Sequence, residues 1–285
     1  MSAPRRGFTL IETLIALVLS SLVIILVSST FLLQNRYQAN QVLLAGVQDN
    51  ARAATDLLAR ELRSSMRAGI LVAGPRTLTV RSPVAVATVC GRSGAFFTNI
   101  DVHIDGGVSR MATEEIAGVA VLDESTGAWD YERATWSFVD GGSGGSAARC
   151  AGNGADTLNA SGAFHSIRRL IFLFGLDIPD VGELVMLFRE TTFRIDDSDL
   201  EPGVLALFRE AYGRDPVEFA SGIDTTASFR YRLGGTTYQD TVDAGSVDDI
   251  DAVRLVLDAR MRSQSLPDAE VTFGLSTNLP LVNAP

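Results

Sequence analysis

Gly7, Phe8 and Glu12 are the residues whose types and spacing point to chemistry. They stand in the run Arg5-Arg6-Gly7-Phe8-Thr9-Leu10-Ile11-Glu12, and Glu12 is the only ionisable residue in the apolar stretch 8–33. A helix of that length covers about 39 Å, enough to cross a hydrocarbon layer of about 30 Å. A carboxylate inside such a layer costs a few kcal/mol, less near the interface. Three readings compete. A cleaved secretory signal peptide accounts for the basic start, but its apolar region would contain Glu12 and is too long. A plain signal anchor accounts for the length and gives Glu12 no role. A cut after Gly7 accounts for all three features. It leaves Phe8 with a free or methylated amine, about one helical turn before Glu12. The amine of one subunit then pairs with Glu12 of its neighbour, which offsets the cost of the buried charge.

The run Gly7-Phe8-Thr9-Leu10-Ile11-Glu12 resembles the prepilin processing motif of type IV pilins and type II secretion pseudopilins. The resemblance implies that a prepilin peptidase cuts between Gly7 and Phe8 and methylates Phe8. It also implies that Glu12 guides the subunit into a growing filament. The stretch 50–63, containing Asp56-Leu57-Leu58-Ala59-Arg60 and ending Glu61-Leu62-Arg63, resembles the helix end of PilW-type minor pilins and GspJ-type pseudopilins. The partners so implied are other pilins or pseudopilins through the N-terminal helix, the peptidase, an inner-membrane assembly platform, and inner-membrane lipid before assembly.

Other residues with chemical potential are few. Cys90 and Cys150 each lie among turn residues, and an even pair on an exported domain can form one disulfide. Asp196, Asp197, Asp199 and Glu201 crowd before Pro202-Gly203 and are weak calcium candidates. They lack the order and glycine of an EF-hand loop, and a solvated acidic hairpin turn explains them better. His103 and His165 have no partner in recognisable context, and the sequence holds no P-loop and no H-E-x-x-H. No enzymatic activity, cofactor or metal centre is expected.

The chain has 285 residues and a formal net charge of −10, with every cationic side chain an arginine. An acidic balance argues against nucleic acid or anionic lipid as the main partner, since both require clustered positive charge.

The elements that must position these residues read as follows. Residues 1–7 form a cleaved leader. Apolar positions recur in steps of three and four through Tyr37, Leu44, Val47, Ala51, Ala54, Leu58 and Leu62, so the periodicity predicts one helix over 8–68. Residues 8–33 of it are the transmembrane or filament-core part. Gly46 is a soft point, and Gly69 is the expected stop. Residues 69–285 then form a β-rich head. Strands are predicted at 77–81, 84–89, 134–139, 167–176, 183–195, 204–209, 228–233, 253–261 and 269–276. Gly234-Gly235 is expected to make a tight hairpin into 236–239. The stretch 141–154 reads as an exposed loop. The fold class expected is α+β, a long helix whose second half packs on a C-terminal antiparallel sheet.

The basic leader places the N-terminus in the cytoplasm and the head across the inner membrane, in the periplasm. The expected function is a minor pilin or pseudopilin, at or near the tip of a type IV pilus or type II secretion pseudopilus, that helps initiate assembly. A pilus-borne adhesin or DNA-uptake subunit is the alternative, followed by a membrane-anchored enzyme.

Overall fold

The computed structural model describes residues 9–65, 68–93, 98–104, 116–123, 128–138, 167–172, 179–262 and 270–281. One α-helix, α1 (Leu10–Ser64), is followed by fourteen strands among the described residues. The chain forms two units: Met1–Asp49 with Arg260–Phe273, and Asn50–Ala259 with Gly274–Pro285.

In the first unit the helix is long and apolar enough to cross a membrane. Every large apolar side chain from Leu10 to Leu33 is at least 52% exposed. An apolar surface on all sides is one that water does not solvate, so it needs lipid or protein around it. The hydroxyls of Thr13, Ser21, Ser29 and Thr30 donate back to carbonyls three or four residues earlier at 2.8–2.9 Å. Each is thereby satisfied without solvent, the condition for a polar group in hydrocarbon.

In the second unit the end of α1 buries Ala51, Ala54, Leu58 and Leu62, spaced three and four apart. The helix ends at Ser64 rather than near Ala68. Ser64 and Ser65 compete for the last-turn carbonyls, their hydroxyls bonding Glu61 O at 2.8 Å and Leu62 O at 2.7 Å. Ala68 takes the left-handed turn, at φ 59°, that was expected of Gly69.

The sheet contains β1 (Ile70–Ala73), β2 (Thr77–Ser93), β3 (Thr98–Ile104), β4 (Gly118–Asp123), β5 (Ala128–Arg133), β6 (Thr135–Phe138) and β7 (Ile167–Phe172). Then come β8 (Leu184–Asp197), β9 (Leu205–Ala211), β10 (Val217–Ile223), β11 (Ser228–Arg232), β12 (Tyr238–Gln239), β13 (Ala252–Arg262) and β14 (Glu270–Pro280). The pairings are antiparallel and the main order is β12-β11-β13-β10-β9-β8-β2-β3-β7-β6. The α+β architecture is therefore as the sequence implies. β8 is the central strand. Along one edge it pairs with β2 from Thr88↔Leu184 to Thr77↔Arg194. Along the other it pairs first with β4, over residues 185–188, and then with β9, over 191–197.

Several elements differ from expectation. β2 is one strand, not two, because the register shift between Pro83 and Ala85 absorbs the proline at an irregular point of the ladder. β1, β3, β4, β5 and β10 were not anticipated. Residues 173–176, the end of one predicted strand, lie outside the described residues. The hairpin after β11 is wider than the Gly-Gly signal implies: Arg232 pairs with Tyr238, and residues 233–237 connect them.

The core between helix and sheet is one of several apolar groupings among the described residues. A second runs through Ala87, Val89, Ile100, Val102, Val119, Leu170, Val185 and Leu187. Gly118 is required where β4 meets β5, since a Cβ there would lie 1.9 Å from the Glu132 carbonyl oxygen. Tyr231 is fully buried, and its hydroxyl donates to Gly74 O at 2.8 Å, tying β11 to the β1–β2 turn.

Candidate processing and assembly site

Gly7 and Phe8 lie outside the described residues. Glu12 lies in the first turn of α1, where carboxylates are favoured by the helix dipole. Its Oε2 accepts from the Thr9 backbone N–H at 3.4 Å, and the Thr9 hydroxyl stands 3.5 Å away. Thr9 O in turn accepts from the N–H groups of Glu12 and Thr13 at 3.1 and 3.2 Å. This is one half of a capping box, in which the third residue of a helix reaches back to the cap. Thr9 was not among the predicted site residues. The Thr-x-x-Glu spacing was the signal that would have found it. Within the single chain, Glu12 is therefore occupied weakly and locally. Its carboxylate stands on an exposed helix end, able to exchange Thr9 for a stronger donor such as an ammonium group.

A second polar assembly fixes the end of α1 on the sheet. Glu61, 4% exposed, accepts from Ser82 Oγ at 2.9 Å. It also accepts from Arg189 Nη2 at 2.9 Å on both oxygens, and from Arg209 Nη2 at 3.3 Å. The strand periodicity explains why these groups converge. Ser82 and Arg189 are register partners on β2 and β8, on the face toward α1. The next pair, Arg81 and Glu190, points the other way. There Glu190 accepts from Arg133 Nη2 at 2.7 Å and from Arg81 Nε at 3.3 Å. The Arg81 guanidinium lies 4.6 Å from the Tyr131 ring centre and 5.3 Å from that of Phe188. Burial lowers the Arg81 pKa, opposed by the Glu190 charge, and the hydrogen bond to Glu190 raises that of Arg133. Burial pushes the Tyr131 hydroxyl up to about 12. Two buried carboxylates thus sit back to back across β8, each held by two arginines. Sequence reasoning registered Glu61 only as part of a motif, and Glu190 not at all.

The calcium candidates fall at the turn from β8 to β9. Asp196 is ion-paired with Arg194 at 3.2 Å, and its Oδ1 accepts from the Asp197 N–H. The turn is organised by Ser198, whose hydroxyl donates to Glu218 and accepts from the N–H groups of Leu200 and Glu201. Among the described residues no three His, Cys, Asp or Glu side chains converge on a point that would hold an ion. Cys90 is disulfide-bonded, and its sulfur lies 3.3 Å from Asp101 O. Its expected partner, Cys150, lies outside the described residues, as does His165. His103 is a buried residue of β3, paired with Thr88 and Ile167 in the ladder.

Residues 3–28 match the family model for the prokaryotic N-terminal methylation motif, which spans Gly7, Phe8 and Glu12. The chain thus carries a type IV pilin-like prepilin motif followed by a helix able to cross a membrane. No curated protein and no solved structure matches the chain.

Proposed function

We propose that this chain is a minor pilin or pseudopilin, a structural subunit placed at or near the tip of a type IV pilus or type II secretion pseudopilus. A prepilin peptidase cuts between Gly7 and Phe8 and methylates the Phe8 amine. Before assembly the apolar half of α1 spans the inner membrane once, with the head in the periplasm. The assembly platform then moves that helix into the filament core. The work is non-covalent, with no catalytic residue and no cofactor.

The observation that carries this reading is the methylation motif on a helix that is apolar on all sides. Such a helix needs lipid first and other helices later, and among the described residues Glu12 has only the neutral donors of Thr9 and no cation. The size of the head, 216 residues from Ile70 onward, favours a minor subunit. A bulky head interferes with dense helical packing of a shaft.

The experiment is N-terminal mass spectrometry of the protein from cells with and without prepilin peptidase. The expected terminus is N-methylated Phe8 with the peptidase, and the longer precursor without it. Gly7→Ala should leave the precursor in both. An intact Met1 or Ser2 terminus in wild-type cells overturns the proposal.

A further inference from the structure

We propose that, before assembly, Glu12 holds the primary ammonium of an ethanolamine-type phospholipid headgroup at the cytoplasmic boundary of the bilayer. The proposal rests on the single-span reading above and adds the lipid class that this site takes.

The depth of Glu12 follows from spacing. Leu33 stands 21 positions after Glu12, the difference between 33 and 12. That is about 32 Å of helix, or about 30 Å across a bilayer at the common tilt of about 20°. A hydrocarbon layer is also about 30 Å thick, so Glu12 and Leu33 mark its two faces. Beyond Leu33 the helix turns polar at Gln34, Asn35 and Arg36, all exposed, and Tyr37 is 66% exposed. A tyrosine and an arginine just past an apolar run belong among headgroups. Sliding the helix by more than a turn draws Arg36 into hydrocarbon in one direction and Glu12 in the other. Held between these two charges, the carboxylate lies level with the headgroups rather than in the bilayer interior.

Its donors decide what it takes there. Among the described residues Oε2 has only the Thr9 N–H at 3.4 Å and the Thr9 hydroxyl at 3.5 Å. Both are neutral, and both are long beside the usual N–H···O distance of about 2.9–3.0 Å. A carboxylate offers about four acceptor sites, so most of its capacity is open. Lipid phosphates and acidic headgroups repel it. A choline carries charge but no N–H. A primary ammonium brings both the charge and three donors, the combination that makes a charge-assisted hydrogen bond. Water competes for the same oxygens, so the preference is a factor of a few, the scale of an exposed ion pair. On assembly the Phe8 amine of a neighbour then replaces one ammonium with another, and the carboxylate stays charged throughout.

The test uses the full-length processed protein in nanodiscs of equimolar ethanolamine and choline lipids with matched acyl chains. Native mass spectrometry reads the lipids that stay bound on release. Ethanolamine lipid should be enriched about threefold or more over choline lipid, and Glu12→Gln should return the ratio to that of the bulk. Mono- and dimethylated ethanolamine lipids should fall between the two, in order of N–H groups lost. Spin labels at Thr13 and Gln34 should report the polar boundary, and one at Leu22 the bilayer centre. A bulk ratio in the wild type, enrichment that survives Glu12→Gln, or a Thr13 label more than about one helical turn inside hydrocarbon overturns the proposal. N-terminal mass spectrometry of the same sample keeps the two readings apart. A processed Phe8 with a bulk lipid ratio sinks only the lipid site, whereas an unprocessed terminus sinks the filament reading itself.

Discussion

Arg189 Nη2 stands 2.9 Å from each carboxylate oxygen of Glu61, joining α1 to β8 across 128 positions of chain. With Arg209 and Ser82 it takes up both oxygens of a carboxylate that is almost without water. Such a group stabilises little by its presence but costs a great deal when its partners are orphaned.

Removing the carboxylate should therefore be costly. Glu61→Ala leaves two guanidinium groups that retain some access to water, so the expected loss is about 2–3 kcal/mol, below the cost of a fully buried pair. Urea denaturation in detergent measures it, and a loss under about 0.5 kcal/mol would mean the pairs are open in solution. Replacing Glu61, Arg189 and Arg209 together with Leu, Met and Met should recover most of the stability.

Gly118→Ala should prevent β4 from pairing with β5. The new Cβ would sit 1.9 Å from the Glu132 carbonyl oxygen, a backbone atom with nowhere to go. A loss above about 3 kcal/mol or failure to accumulate is expected. Gly182→Ala is the control: it has φ +99° and nothing within 4 Å, so only conformational strain of about 1 kcal/mol applies. Protease resistance of the two variants compares them directly.

Tyr131 should ionise late. Burial, the largest cause, raises its hydroxyl from 10.0 to about 12, against the opposing pull of Arg81. A group protonated more tightly in the folded state contributes stability that is complete below pH 10 and fades as pH rises toward 12. Ultraviolet titration should show a tyrosine ionising well after the exposed ones, and Tyr131→Phe should remove that step. The variant should also lose stability less steeply across the same alkaline window.

The disulfide at Cys90 should show itself on reduction. Intact protein should migrate faster on non-reducing gels, and peptide mapping should join Cys90 to Cys150. Cys150→Ser should cost about 3 kcal/mol, the usual effect of losing a bridge. A free thiol at Cys150 in the unreduced protein would rule the pairing out.

What could be read from the chain follows the range of the interactions. The helix was legible because three-and-four spacing and the absence of proline are properties of neighbouring residues. Thr9 and Glu12, three residues apart, were equally open to reading through the capping box. Glu61 with Arg189, and Glu190 with Arg133, were not. Their partners are set by which strands adjoin β8, and a central strand's neighbours are decided by the whole sheet. Short strands such as β4 and β5 escaped for a related reason: their burial depends on pairing with each other and, for β4, with β8, not on a pattern of their own. The strands expected at 77–81 and 84–89 are one, because the register shift beside Pro83 lets β2 continue through a proline that would ordinarily end a ladder.

The position of β8 has a consequence for the order in which the head comes into being. The hydroxyls of Thr79 and Thr192 meet at 3.0 Å, 113 positions apart. Closing so distant a pair is entropically slow beside the short turns that join β8 to β9 and β9 to β10. A chain made from its N-terminus delivers β1, β2 and β3 early, but β8, the central neighbour of β2, emerges only after more than half the polypeptide. Until then the early strands have an unsatisfied edge. The ladders β2–β3, β3–β7, β6–β7 and β4–β5 can form before β8 is made, whereas the β2–β8 ladder that joins them to the second half of the sheet is a late step.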